Sequence, residues 1–264
     1  MRKYVAIAKI WVKMQITYRF DVALTAIETI GRVLFAWLIW GAVFAGRETV
    51  SGFSFEAMLL YYVVSSFLIT MGSFASIGWE VSANIRDGKF TRFMVIPTNP
   101  LTHYFVQALS SAGYFSLFAL PVAIFSGLVF GAGVFAPRPM AVLCAFAMLL
   151  AGMVFMTSYH FFLGLMAFKF QDARFFLYFQ DSIISFTQGG MIPLNLLPVQ
   201  ALSLLLFLPF PHVVFTPAML LTGNMSQEEG LFSLWVLTVW TIVMVMVSQL
   251  TYNRMRVKYD GVGI

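Results

Sequence analysis

The sequence is poor in charge and in cysteine. Only 10% of its 264 residues are charged and 60% are hydrophobic, whereas about a quarter of a soluble domain is charged. An ordinary soluble enzyme is therefore excluded. The single cysteine, Cys144, lies inside an apolar run, so no internal disulfide can form. Chemical signatures are missing as well. "DGKF" lacks the upstream glycine and the following Ser/Thr of a phosphate-binding loop, "TQGGM" has no context to make it one, and neither H-E-x-x-H nor G-x-S-x-G occurs. His103, His160 and His212 are scattered, with no second ligand at metal-binding spacing, and read as packing residues. The first twenty residues hold no continuous apolar core and no small-residue cleavage site, which argues against a cleaved signal peptide.

What is abundant is apolar length. Several runs exceed the roughly 18 residues that mark a membrane-spanning helix, and their length without period-two alternation excludes β structure. The expected fold is all-α: a polytopic membrane protein forming one transmembrane domain over 1–264. Its expected spans are 22–45, 55–78, 101–130, 140–168, 174–190 and 231–252. Basic residues test that arrangement. Arg2, Lys3, Lys9, Lys13, Arg19, Arg86, Lys89, Arg92, Lys169, Arg174, Arg254, Arg256 and Lys258 fall on one side, and only Arg47 and Arg138 on the other. The positive-inside rule makes that side cytoplasmic, with both termini. The net charge of +5 is read the same way rather than as affinity for nucleic acid.

Three regions depart from plain spans. Residues 1–19 place Tyr4, Ile7, Trp11, Met14 and Tyr18 at helical steps between Lys3, Lys9 and Lys13, the pattern of an interfacial helix; a lever into the first span and an inert anchor both fit. Residues 191–230, with Pro193 and Pro198 near their start, hold an apolar run, 199–223, in which Pro209, Pro211 and Pro217 would break a spanning helix repeatedly. They read as an outer, broken or re-entrant hairpin, lining a pathway or lying at the surface. Residues 79–100, "WEVSANIRDGKFTRFMVIPTNP", carry charges in a chain that has few. There Glu80 to Ile85 can make two helical turns, Asp87-Gly88 a stop, and Pro97 and Pro100 an extended entry into the next span. A docking helix and a solvated connector both fit.

Within the spans, Glu28 and Arg32 are four apart in the favourable order for an ion pair, either neutralising each other against a neighbour or touching substrate. Asp181 has no basic residue three or four away, and an unpaired intramembrane carboxylate is a functional candidate, with Arg174 two turns off as its alternative partner. Gly127 and Gly131, with Ser66, Gly72, Ser73, Ser76 and Gly78, mark faces for close helix approach.

Taken in order, "ITYRFD" at 16–21, "IRDGKFTRFMVIPTNPL" at 85–101, "QGGMIPLNLLPVQALSLLLFLPFPHVVFTPAMLLTG" at 188–223 and the terminal "YDGVGI" resemble the permeases of type-2 ATP-binding-cassette exporters, in particular the bacterial half-size branch with six spans. The resemblance covers nearly the whole chain. It implies a permease of the bacterial cytoplasmic membrane that moves an amphipathic or hydrophobic substrate outward and has no ATPase or cofactor of its own. ATP and Mg would sit on separate cytoplasmic ATPase subunits, and a second permease subunit, identical or paired, would complete the pathway within the lipid. Glu80, Asn84, Ile85, Arg86, Asp87 and Gly88 would form the ATPase-coupling helix, residues 1–19 the elbow, and the five prolines of the outer hairpin the outer gate. The rival classes are an ion-coupled secondary transporter, which would need internal repeats that are not visible between 1–130 and 131–264, and a structural or channel-like subunit.

Overall fold

The computed structural model describes residues 2–17, 19–72, 75–96, 98–130, 137–170 and 173–256. Tyr18, Ser73, Pro97, Gly131, Lys258 and the terminal 259–264 lie outside the described residues. Among those described, the fold is all-α, with only an isolated bridge between Val50 and Phe53. The helices are α1 (Arg2–Thr17), α2 (Arg19–Val43), α3 (Phe55–Met71), α4 (Ala75–Arg86), α5 (Arg92–Val95), α6 (Pro100–Phe130), α7 (Pro139–Leu165), α8 (Ala167–Phe170), α9 (Arg174–Thr187), α10 (Val199–Leu205), α11 (Phe215–Leu221) and α12 (Gln227–Met255).

Local chemistry sets several boundaries. The Ser54 hydroxyl accepts from the Ala57 amide to start α3. Asn99 Oδ1 accepts from the Leu101 amide, with Pro100 opening α6. Ser226 and Glu229 form a reciprocal capping box for α12. Gly88, at φ +73°, ends the α4 turn in the left-handed region.

Four stretches are long and apolar enough to cross a membrane: Phe55–Arg86, Pro100–Val129, Pro139–Phe170 and Gln227–Met255. The chain is a polytopic membrane protein. α2, with 25 residues, is about 38 Å long and also matches a bilayer. Two expected elements differ. α9 has 14 residues rather than the 17 expected for 174–190, about 21 Å, which is short of the roughly 30 Å hydrocarbon core. The short helix expected over 80–85 is the last part of α4, which begins at Ala75 inside the expected second span and ends at Arg86. In the hairpin region, α10 and the stretch Phe210–Leu221 are bent by 81°, as its prolines require.

The Phe55–Arg86 stretch is the most deeply packed of the four and α6 the least. At one end of the bundle Phe90 meets Phe168 at 5.4 Å and Tyr252 at 6.2 Å between ring centroids. Lys89, Arg92, Lys169 and Arg254 therefore gather there, and we call it the basic end. α1 lies along α6, where Gln15 Nε2 donates to Ser111 Oγ at 3.2 Å. Tyr4, Ile7 and Trp11 are half-buried on that flank, while Met14 is exposed.

The closest helix crossing is built from glycine. A Cβ on Gly164 of α7 would lie 2.6 Å from Val81 Cβ and 2.8 Å from the Gly78 carbonyl oxygen of α4. The backbones can approach this closely only because both positions lack a side chain. Gly164→Ala is expected to cost about 1–3 kcal/mol through overpacking. Gly113→Ala, with nothing within 4 Å, should be neutral or slightly stabilising. Thermal unfolding of both variants in nanodiscs checks the pair, and equal melting temperatures would contradict the tight crossing.

Candidate functional site

At the basic end a polar node ties the charged loop to the bundle. Glu80 Oε1 lies 3.4 Å from Arg92 Nη2 and accepts weakly from Asn84 Nδ2 at 3.5 Å. Its Oε2 accepts from Gln107 Nε2 of α6 at 2.9 Å, and Asn84 in turn donates to the Tyr104 hydroxyl at 3.3 Å. One carboxylate thus connects α4, α6 and the start of α5. Its side chain is only 29% exposed, so these charge-assisted bonds are worth more than those of a solvated surface pair. Beneath the node, Phe90 and Phe93 insert between Tyr104, Phe168 and Tyr252. Asn99 Nδ2 reaches Gln249 Oε1 of α12 at 2.9 Å. The loop is clamped from both flanks.

This placement changes the part each candidate can play. Ile85 is 4% exposed and belongs to the chain's own core, so it is not available to a partner's groove. The two helical turns over 80–85 were legible, but the apolar face of α4 turns toward α7 rather than outward. Asn84 is likewise buried. Arg86 and Asp87 are exposed, with Asp87 close to both Arg86 at 3.9 Å and Lys89 at 3.4 Å, and Gly88 turns the chain between them and the next helix. The outward apolar side chains are instead Val95, 84% exposed, and Ile96.

At the opposite end the hairpin region is held to α3 by two tyrosines. Tyr61 donates its hydroxyl to the Gly189 carbonyl and Tyr62 to that of Met191, each at 2.7 Å. Gly189 has φ +76°, and a Cβ there would come within 2.9 Å of Phe215 Cβ and 3.0 Å of the Tyr61 hydroxyl. Glycine is required on both counts. Asn195 Nδ2 adds a bond to the Ser51 carbonyl at 3.2 Å.

From there the chain moves inward. Trp240 Nε1 of α12 donates to the Phe207 carbonyl at 2.9 Å, and Phe210 stacks edge-on to Phe155 and Tyr159 of α7. Tyr159 is about 30 Å along α7 from Pro139. The return leg brings Leu220 and Asn224 back beside Arg138. His212 is buried at the turn. Its Nε2 faces the Leu206 carbonyl at 2.9 Å, which can only accept, so Nε2 carries the proton and Nδ1 accepts from Thr216 Oγ1 at 3.0 Å. Pro193, Pro209, Pro211 and Pro217 are buried in this region and Pro198 is exposed.

Glu28 and Arg32 form the i, i+4 ion pair expected of them, on an exposed face of α2. Asp181 is half-buried in α9 and accepts from Gln180 Nε2. Among the described residues no group of three or more His, Cys, Asp or Glu side chains could hold a metal ion. Sequence reasoning missed Tyr61, Tyr62, Gln107 and Arg92. The signal for the tyrosines was a pair of hydroxyl-bearing rings in a largely apolar helix, since a buried tyrosine hydroxyl needs an acceptor.

A clamped basic loop, a close-packed helical stretch leading away from it and a bent apolar hairpin at the far end are thus joined in one bundle. No curated protein matches the chain. The family model described as ABC-2 family transporter protein matches residues 30–263. That match spans most of the chain, and it fits a membrane protein that carries no nucleotide-binding motif in its own sequence. The chain belongs to the ABC-2 transporter family and is the membrane permease component of an ATP-binding-cassette transporter, a partner of ATPase subunits rather than an ATPase itself.

Proposed function

We propose that this permease exports an amphipathic or hydrophobic substrate, driven by two ATPase subunits that hold ATP and Mg and dock on the basic end. Two permease chains, identical or paired, enclose the pathway in a bacterial cytoplasmic membrane. With the short α9 counted as the fifth of six spans, both termini and the 79–100 loop lie in the cytoplasm. Residues 191–230 dip in from the outer face and return as the gate, and α1 is the elbow. The single observation that carries this reading is that the Phe55–Arg86 stretch bears the tyrosine bonds to the hairpin region near one end and the Glu80 node near the other. A push on the loop reaches the hairpin through α4, its close crossing with α7 and the tyrosine bonds of α3.

The docking surface in this proposal is made of the exposed side chains between Arg86 and Ile96, Phe90 and Phe93 facing the core, with Val95 and Ile96 as its apolar contacts. The charges of Arg86, Asp87, Lys89 and Arg92 set orientation more than affinity. Glu80 transmits force inside the permease and does not meet the ATPase.

Two variants separate these roles. Val95→Asp should weaken co-purification with the ATPase subunit by about tenfold or more, since burying a valine side chain is worth about 1.5 kcal/mol; unchanged co-purification would remove Val95 from the interface. Ile85→Asp, by contrast, buries an uncompensated charge and should deplete the permease from the membrane altogether. Glu80→Gln should leave association intact but lower transport per ATP hydrolysed, measured with both subunits in proteoliposomes. An unaltered ratio of transport to hydrolysis would contradict the transmitting role of Glu80.

A further inference from the structure

A cavity of about 180 Å³ lies between α3, α7, α9 and the turn of the hairpin. Its polar lining comes from His160, Asp181, Ser185 and Gln188, and Ile69 and Met156 form part of its apolar wall. Val213 and Val214, at the inner turn of the hairpin, also line it. His160 is 1% exposed, and its Nδ1 has no hydrogen-bond partner among the described residues. A buried polar atom without a partner calls for one that the chain does not supply. Ser185 on α9 is exposed, so the cavity opens on that flank.

The lining has one sign. It offers a carboxylate, an imidazole nitrogen, a hydroxyl and an amide, and no lysine or arginine. Asp181 accepts a bond from Gln180 Nε2 but meets no cation in the lining, and a carboxylate at membrane depth is costly without one; the unpartnered His160 Nδ1, in the tautomer that leaves it unprotonated, adds an acceptor. A ligand with a positive charge and N–H donors satisfies both, whereas an anion would meet Asp181 with nothing to offset the repulsion. The volume falls below the roughly 300–1,000 Å³ of pockets that enclose a whole drug-sized molecule. It suits a headgroup, with an apolar tail leaving along the open flank.

We propose that this cavity binds the protonated amine headgroup of an amphiphile, with Asp181 as the counter-ion and His160 Nδ1 and Ser185 as further hydrogen-bond partners. The inference rests on the permease reading and deepens it by giving the substrate a chemical class. The hairpin helps close the cavity, so movement of the gate also opens or dismantles the headgroup site.

The test uses the full-length permease alone in nanodiscs, without ATPase, so its failure leaves ATPase docking untouched and failure of docking leaves it untouched. Octylamine, octyltrimethylammonium and octyl sulfate are titrated calorimetrically, with empty nanodiscs subtracted. The expected result is saturable octylamine binding that weakens at least about tenfold in Asp181→Asn, as the loss of a charge-assisted bond implies. Octyltrimethylammonium, which has the charge but no N–H, should bind about tenfold more weakly, and octyl sulfate should show no saturable phase. If Asp181→Asn does not assemble, Ser185→Ala decides, with a several-fold loss expected at an exposed position. Wild-type affinity in the variant that assembles, equal binding of the trimethylated or anionic probe, or only non-saturable partitioning would each overturn the proposal.

Discussion

Close packing of the Phe55–Arg86 stretch against α7 is the constraint on which the other features depend. The Gly78–Gly164 crossing brings α4 onto α7 at backbone distance, and this turns Val81 and Ile85 into the core while Glu80 reaches Gln107 of α6. The loop beyond Gly88 then has one place to go, across the aromatic floor formed by Tyr104, Phe168 and Tyr252. On the other side of the same stretch, Tyr61 and Tyr62 reach the carbonyls of Gly189 and Met191. Loosening the crossing would release the basic loop and the hairpin anchor together.

The polar bonds are few and their value comes from where they lie. A hydrogen bond contributes about 0.5–1.5 kcal/mol net, and a charged one about 1.5–3. The two tyrosine bonds and the Glu80 node are thus comparable in size to a single packing defect. Bonds of this size can be exchanged during a conformational change, whereas contacts worth tens of kcal/mol could not. The apolar packing of α7 and α12 supplies the frame, and the polar bonds decide which pieces move with which.

Much of this was legible in the sequence, because a bilayer leaves few choices. Apolar run length gave the helices, lysine and arginine distribution gave the gathering of Lys89, Arg92, Lys169 and Arg254, and the prolines between 193 and 217 gave the broken hairpin. Asp87-Gly88 marked the end of α4 correctly, and Glu28 and Arg32 pair as their spacing implies. The orientation of α4 was not legible, since Ile85 next to Arg86 looks the same from sequence whether its face meets a partner or α7. Nor were the long-range bonds: Tyr61 to Gly189 and Glu80 to Gln107 join residues 128 and 27 positions apart, and no local pattern encodes such pairs. Pro209, Pro211 and Pro217 predicted the bend but not the aromatic contacts of Phe210 or the buried His212 at its turn.

The central claim is that nucleotide state at the basic end alters the geometry of the hairpin at the other. The most direct measurement places spin labels at Val199 and Leu231, both exposed, in a Cys144→Ala background. Pulsed electron paramagnetic resonance then records their separation in the permease–ATPase complex, without nucleotide and with ATP trapped on a hydrolysis-deficient ATPase. The account predicts two resolved distance distributions, the second appearing only with ATP. A single distribution that ignores nucleotide, from a labelled permease that transports when paired with the wild-type ATPase, would contradict it.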